Sequence, residues 1–428
     1  MPSFIAIWFG QVVSLIGSGL TGFALGVWVY QTTGSATQFS LIYLFTELPA
    51  ILVAPVAGAI ADRWDKRWVM ILSDVGSAVG TAAIAFLFWL GKLEIWHIYL
   101  AMALSSTCKG FQVPTYNAIP TLLVGKENFS RANGMIELGK AAGHLFSPIL
   151  AGILVEIIQL QGIIAIDFAT FGFALLTLLI VRLPDQQKSS DKEKSQTSFW
   201  TDINYGWQYI LARSGLLMML IFFVVTNFTI GLVQVLITPM VLSFTNAQVL
   251  GRILSLAAVG WLVGGVLMSV WGGFPRRVNG VFAFELVLGA AIFVAGLRPN
   301  PVLITAAAFM FFLSVPIITG SSNAIWQVKV APEVQGRVFA MRGAIAWSSF
   351  PLAYIVAGPL AEYIFQPLLV SEGLFADSLG KLIGVGEGRG IGLLFMAIGI
   401  FIMLATVVAY QYPPIRLVED RLPDAVIK

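Results

Sequence analysis

The sequence predicts an all-α integral membrane protein of 12 transmembrane helices in two six-helix pseudo-repeat bundles. Three observations lead there. Hydrophobic residues make up 58% of the 428 and charged residues 11%, with a mean hydropathy of +0.86, outside the range of soluble globular chains. Apolar runs of about 20 residues, each able to cross roughly 30 Å of hydrocarbon as a helix, recur along the whole chain. The second half also repeats polar positions of the first at a fixed offset. Runs this continuous exclude a transmembrane barrel, whose strands show short alternating segments.

In chain order the spans fall near 4–30, 39–60, 69–90, 95–118, 133–158, 162–181, 215–237, 250–271, 279–297, 301–325, 341–365 and 390–410. The first starts almost at Met1, with no Lys or Arg before Arg63. Lacking a basic n-region and too long for an h-region, it reads as a retained helix and not as a cleaved signal peptide. Spans two and three flank GAIADRWDKRW (Gly58 to Trp68), which holds five charged residues among six. A cytoplasmic placement of that loop puts eighteen Lys and Arg on the same side or at inner helix ends, against five opposite: Lys92, Arg252, Arg298, Lys381 and Arg389. This bias predicts a multi-pass protein of the plasma membrane, in a bacterium the inner membrane, with both termini cytoplasmic. The net charge of +3 restates the same bias and predicts no nucleic-acid partner. The single cysteine, Cys108, excludes a disulfide framework and a cysteine-based metal site. Neither a cofactor nor a metal is expected.

Between spans six and seven, PDQQKSSDKEKSQTSF (Pro184 to Phe199) shows no apolar periodicity. It divides the chain into an N-terminal bundle (1–183), a cytoplasmic linker (184–213), a C-terminal bundle (214–412) and a cytoplasmic tail (413–428). Late in the linker, FWTDINYGWQYILAR gathers Ile203, Trp207, Ile210 and Leu211 on one helical face, the pattern of an interfacial helix. A gapless shift of 206 residues lays Asn117, Ala118 and Ile119 on Asn323, Ala324 and Ile325, and Glu127 and Arg131 on Glu333 and Arg337. It also lays Ala151, Gly152 and Glu156 on Ala357, Gly358 and Glu362. More weakly, KRWVMILSD (Lys66 to Asp74) is echoed by RRVNGVFAFE (Arg276 to Glu285). Two six-helix halves so related mark a transporter that rocks about a central site.

Charged residues at mid-depth are candidates for proton or substrate handling, because a charge at a helix centre costs at least about 2.5 kcal/mol. Glu47, in FTELPAIL, lies about 12 Å into span two, beside Pro49. Lys109 lies about 21 Å along span four and Lys140 about 13 Å beyond Arg131. Either lysine could neutralise Glu47 or meet an anionic substrate; the plainer alternative is a static ion pair joining spans two, four and five. His144 reads as a packing residue. Asp167, about 8 Å into span six, reads as a tie between helix ends, and Glu156 and Glu362 as interfacial caps or an outer gate. GVGEGRG (Gly384 to Gly390) is no nucleotide loop, since no strand precedes it. The second half offers Asn227, Gln234, Asn323, Trp326 and many aromatics, a lining suited to a bulky amphiphile. No nucleophile, base and orienting residue converge in a recognisable motif, so no enzyme is predicted.

Family resemblance sharpens this reading. GAIADRWDKR resembles the signature between helices two and three of the major facilitator superfamily, through Gly58, Asp62, Arg63, Lys66 and Arg67; Asp65 stands where that pattern usually has Gly. GKAAGHLFSPILAG resembles the helix-five signature of its drug and proton antiporters, through Gly139, Gly143, Pro148 and Gly152, with Ser147 where Gly is common. VSLIGSG, PTYNAIPTLLV and IDFATFGFALLTLLIVRLP are similar to the branch of macrolide-efflux proteins and the enterobactin exporter. The resemblance implies that the charged loop is a cytoplasmic latch. Asp62 would cap a helix end, Arg63 and Arg67 would pair with carboxylates such as Asp74 or with lipid phosphates, and Lys66, Arg131, Glu285 and Arg337 would complete it. It further implies a monomeric carrier exporting a small amphiphile against protons. Siderophore or lipid export and solute uptake are the alternatives within that class, and a non-transporting receptor or scaffold outside it.

Overall fold

The computed structural model describes residues 1–125, 128–181, 199–371 and 373–425, apart from the side chains at 55, 58–63, 121, 130, 199–203 and 382. The described residues form helices and turns without a strand. Two compact units emerge from the chain's own contacts, 1–190 with 245–255, and 191–244 with 256–428.

In the first unit lie α1 (Pro2–Thr33), α2 (Ala36–Arg63), α3 (Lys66–Trp89), α4 (Ile95–Leu123) and α5 (Phe129–Ile180). The sequence places two spans where α5 runs for 52 residues, and the reason is Gln159, whose φ of 56° and ψ of −173° interrupt the helix at a single residue. Contacts with α1 reveal the reversal. Trp8 to Gly19 meet Met135 to Ser147 in rising order, whereas Gly10 and Gly17 meet Thr177 and Thr170 in falling order. The two limbs of α5 are therefore antiparallel and enclose α1. Glycine makes this possible, since a Cβ on Gly17 would overlap the Thr170 hydroxyl and one on Gly139 would lie 2.6 Å from Val12 Cγ2. At one end, Phe4, Ile7, Met70, Ile119, Ile136 and Leu178 close an apolar core from α1, α3, α4 and both limbs.

The loop before α3 resolves one departure from the family pattern. Asp65 takes an ordinary extended conformation (φ −60°, ψ 116°), so nothing there demands glycine, and its carboxylate accepts from the Arg67 and Trp68 amides at 2.7 and 3.4 Å. It is the N-cap of α3, worth about 1 kcal/mol against alanine. The capping role expected of Asp62 thus has an occupant; Asp62 itself, with Gly58 and Arg63, lies outside the described side chains.

The second unit begins with α6 (Phe199–Leu211) and α7 (Ser214–Leu242), followed by α8 (Ala247–Trp271), whose first turns group with the other unit. Then come α9 (Arg277–Leu297), α10 (Pro301–Lys329), α11 (Gln335–Trp347) and α12 (Ser349–Pro359). A π-helical stretch, Leu360–Phe365, leads to α13 (Gln366–Leu368), α14 (Leu379–Ile383), α15 (Arg389–Gln411), α16 (Pro413–Arg416) and α17 (Val418–Arg421). The sequence repeat is visible in the helices themselves: α4 and α10 are both 29 residues long, and their ends stand 206 positions apart. α9 and α15 run antiparallel at close range, Gly289 against Gly399 and Gly296 against Gly392. The amphipathic α6 turns Gly206 onto the Arg337 carbonyl, 2.8 Å from a Cβ, and buries Ile210, while Leu211 stays exposed. Its predicted apolar face is thus split between α11 and the surroundings.

Residues 413–425, expected as a plain tail, are fastened to the unit. Lys329, 5% exposed at the end of α10, donates to the Glu419 and Leu422 carbonyls and to Asp424 Oδ1. Arg276 pairs with Asp420 at 2.9 Å, and Glu419 Oε2 accepts from the Val278 amide in the first turn of α9.

Candidate functional site

Two polar constellations occupy the membrane helices of the first unit. The first centres on Lys109 of α4, which is exposed and whose ammonium acts electrostatically on both Glu47 of α2 and Asp167 of α5. Glu47 is exposed on α2, with no hydrogen bond or ion pair within 4 Å among the described residues. The neighbouring backbone is held from α4, where Ser106 Oγ accepts from the Ala50 amide at 3.1 Å. Asp167 is buried and accepts from Ser18 Oγ at 3.2 Å. Since Ser18 stands halfway along α1, Asp167 lies at mid-height of the unit and not at a helix end. That corrects the depth read from sequence: counting from the start of span six missed that the chain re-enters beside the middle of α1.

The second constellation surrounds Asp74, nine residues into α3 and 5% exposed. Gln112 of α4 donates to its Oδ1 at 2.6 Å, Gln11 of α1 to its Oδ2 at 3.3 Å, and the two glutamines join at 3.1 Å. Sequence reading passed over both glutamines; the only signal was that amides are uncommon in such apolar helices.

The expected partnership of Arg67 with Asp74 is not formed. They stand seven residues, about 10 Å, apart along α3, and Asp74 turns inward to its amides. Arg67 instead donates to the carbonyls of Leu178 and Leu179 at 2.9 and 2.5 Å, capping the negative end of α5. Arg276, its neighbour's counterpart in the repeat, likewise grips the chain beyond the last long helix of its own half through Asp420. Lys66 is buried at the start of α3, Arg131 is exposed in the first turn of α5, and Arg337 stacks over Tyr205 at 5.7 Å. Glu285, the repeat's counterpart of Asp74, is 1% exposed with Oε2 making no hydrogen bond, deep in α9 and not at a helix end.

Lys140 does not join Lys109 and Glu47. It pairs at 2.7 Å with Glu137, one turn earlier, and both are exposed. The glycines of the helix-five motif act by closeness: a Cβ at Gly143 would lie 3.0 Å from Leu15 Cδ2, and one at Gly152 2.6 Å from the Ala247 carbonyl. Ser147, the departure from the motif, donates to the Ile16 carbonyl beside Pro148 at 3.2 Å. In the second unit Asn227 donates to the Ala346 carbonyl, Tyr354 donates to Gln234, and Asn323 accepts from Arg342. No group of three or more His, Cys, Asp or Glu able to hold a metal occurs among the described residues.

The model of the Major Facilitator Superfamily matches residues 7–366. The chain belongs to this superfamily. Among the described residues ten helices are long and apolar enough to cross a membrane, in keeping with the 12-helix facilitator fold of two repeated halves, and members are transporters of small molecules, not enzymes. Among relatives, this facilitator is 28% identical to the macrolide efflux protein A of Streptococcus pyogenes over 375 residues, covering 84% of this chain and 90% of that protein. It is 24% identical to the multidrug efflux pump Tap of Mycolicibacterium fortuitum over 369 residues, 84% and 89% of the two chains. Solved structures share the fold at lower identity. A bacterial homologue of the human lysosomal transporter Spinster, inward-facing and unoccupied, has a TM-score of 0.71 at 14% identity, covering 95% of each chain. The nucleoside transporter NupG has 0.71 at 13%, covering 96% of this facilitator and all of NupG.

Proposed function

We propose that this facilitator exports a small amphiphilic compound from the bacterial cytoplasm across the inner membrane by proton antiport, acting as a monomer with both termini cytoplasmic. The bundles 1–183 and 214–412 are the moving halves. What supports the reading is that three adjoining membrane helices of one unit carry one ammonium, Lys109 of α4, and two carboxyls, Glu47 of α2 and Asp167 of α5, both within reach of its charge. Two carboxyls against one ammonium leave one negative charge in excess, which a single proton neutralises. In hydrocarbon that excess is costly, so protonation follows closely what else occupies the site. Glu47 is the exposed carboxyl of the two, and we assign it the contact with substrate. An amphiphile arriving beside it changes which protonation state is favoured and so couples binding to proton release. The efflux relatives support the outward direction.

The cytoplasmic charges supply a bistable element for the cycle. Arg67 ties the start of α3, and with it the charged segment that carries Gly58, Asp62, Arg63 and Lys66, to the end of α5 in its own half. We assign this segment, with Arg131 and the buried Asp74 of the same half and with Arg337 and Glu285 of the other half, to a latch that biases one face shut.

The test uses inside-out vesicles energised to an acidic lumen and loaded with a pH-quenched dye. Macrolides, lipophilic cations and siderophores are added to the native protein and to Glu47→Gln. Substrate-triggered proton efflux that disappears in Glu47→Gln is the expected result. Proton efflux that survives the substitution would remove Glu47 from the coupling, and silence towards every compound with folded protein would favour uptake or a receptor role.

A further inference from the structure

In the second unit one half-exposed guanidinium is held by a cluster of neutral side chains. Arg342 of α11, half-buried, donates through Nη1 to Asn323 Oδ1 at 2.9 Å and through Nη2 to Ser322 Oγ at 3.0 Å. Its Cζ lies 4.9 Å over the ring of Trp326. All three partners belong to α10 and all are neutral. Among the described residues no Asp or Glu approaches within 4.0 Å of it. Two other cations of the unit do have a carboxylate, Lys329 through Asp424 and Arg276 through Asp420.

The surroundings are built and not incidental. Trp326 is completely buried, and its Nε1 makes no hydrogen bond. An indole N–H left unmade inside a protein costs on the order of 1–3 kcal/mol, so an unpartnered donor lies on the same ring that supports the charge. Ser322 is buried as well, whereas Asn323 is exposed, which leaves the guanidinium an open side. A guanidinium carries five N–H donors in a fixed fork suited to bidentate carboxylate or phosphate, and two are used here. Asn323 stands 22 residues into α10 and six before its end, roughly 9 Å from the helix terminus, within reach of an amphiphile's head whose apolar part lies deeper.

We propose that Arg342, fixed by Asn323, Ser322 and Trp326, is an anion-recognition site that takes the carboxylate or phosphate group of an amphiphile. This deepens the reading of the protein as an amphiphile carrier and rests on it. The substrate class is thereby narrowed to compounds with an acidic head and an apolar body.

Dansyl-labelled undecanoic acid and its neutral methyl ester are titrated at pH 8 onto the full-length protein in phosphatidylcholine nanodiscs. The acid is expected to bind at least about tenfold tighter than the ester, the ratio one charge-assisted bidentate contact supplies. Arg342→Gln removes the preference. Asn323→Asp, which leaves the arginine in place but gives it a counter-ion, removes it too, while ester binding reports that both variants are folded. Repeating the titration in discs containing phosphatidylglycerol separates the sources of the anion, since competition there identifies a lipid phosphate as occupant of the same site. Equal affinity for acid and ester, or a preference that survives both substitutions, overturns the proposal. The readout does not involve proton coupling, so this outcome and a failed antiport measurement are distinct.

Discussion

Replacing Gln112 by leucine removes the shorter of the two amide bonds to Asp74. The carboxyl is 5% exposed and accepts from Gln112 at 2.6 Å and from Gln11 at only 3.3 Å, with Gln11 itself held by Gln112 at 3.1 Å. One substitution therefore strips Oδ1 of its donor and loosens the remaining one. A buried acceptor left unmade costs about 1–3 kcal/mol, and the weakened Gln11 contact about another 1 kcal/mol, for a total of about 2–4 kcal/mol. For a cooperative unit near 200 residues this corresponds to a fall in Tm of roughly 4–16 °C. The lone thiol, Cys108, gives the assay, because a maleimide dye that fluoresces on reaction reports its release as the purified protein is heated. Asp74→Asn, an uncharged replacement, is expected to recover half or more of the loss in the Gln112→Leu background, the coupling that contacting pairs show. A Tm within about 1 °C of the native protein for Gln112→Leu would refute the reasoning, as would additive effects of the two changes.

Three further outcomes are expected. Asp65→Ala removes the cap on the Arg67 and Trp68 amides and lowers stability by about 1 kcal/mol in the same thermal assay, whereas Asp65→Gly costs only a few tenths. Gly296→Val places a side chain into the Gly392 carbonyl, where backbone on both sides prevents relief, and folded yield by size-exclusion chromatography should fall sharply; Gly134→Ala, open on its surface, is the neutral control. Lys329→Met breaks three hydrogen bonds to the tail, with a cost of about 2–3 kcal/mol, and limited proteolysis should release residues beyond Arg416 in the variant but not in the native protein.

The helices were legible because length and hydropathy are local properties. Most predicted spans have a helix within a few residues of them; spans five and six are joined at Gln159, where one non-helical residue does the work of a loop, and span eleven is divided among α11, α12 and the π-helical stretch. The repeat was legible for a similar reason, since equivalent polar residues keep their spacing when equivalent helices keep their length, as α4 and α10 do. Glu47 and Lys109 stand out as candidates because formal charge in an apolar run is conspicuous. Gln11, Gln112 and Ser18 escaped notice because an uncharged polar side chain gains its meaning only from the partner across the helix boundary.

Sequence alone determined that this chain crosses a membrane in two related halves and that it resembles the facilitators. Tertiary structure decided who meets whom. Asp74 and Gln112 are 38 residues apart, Ser18 and Asp167 are 149 apart, and Arg67 reaches a carbonyl 111 positions away. Hydrophobic periodicity sets a helix's length and its apolar face, but in a chain apolar on nearly every face it leaves the rotation and the neighbours open. Those are set by where glycines let backbones close together, as Gly17 does beside Asp167 and Gly296 beside Gly392. A buried charge then takes the donor that this packing brings to it, which is why Asp74 meets amides and Arg67 meets carbonyls.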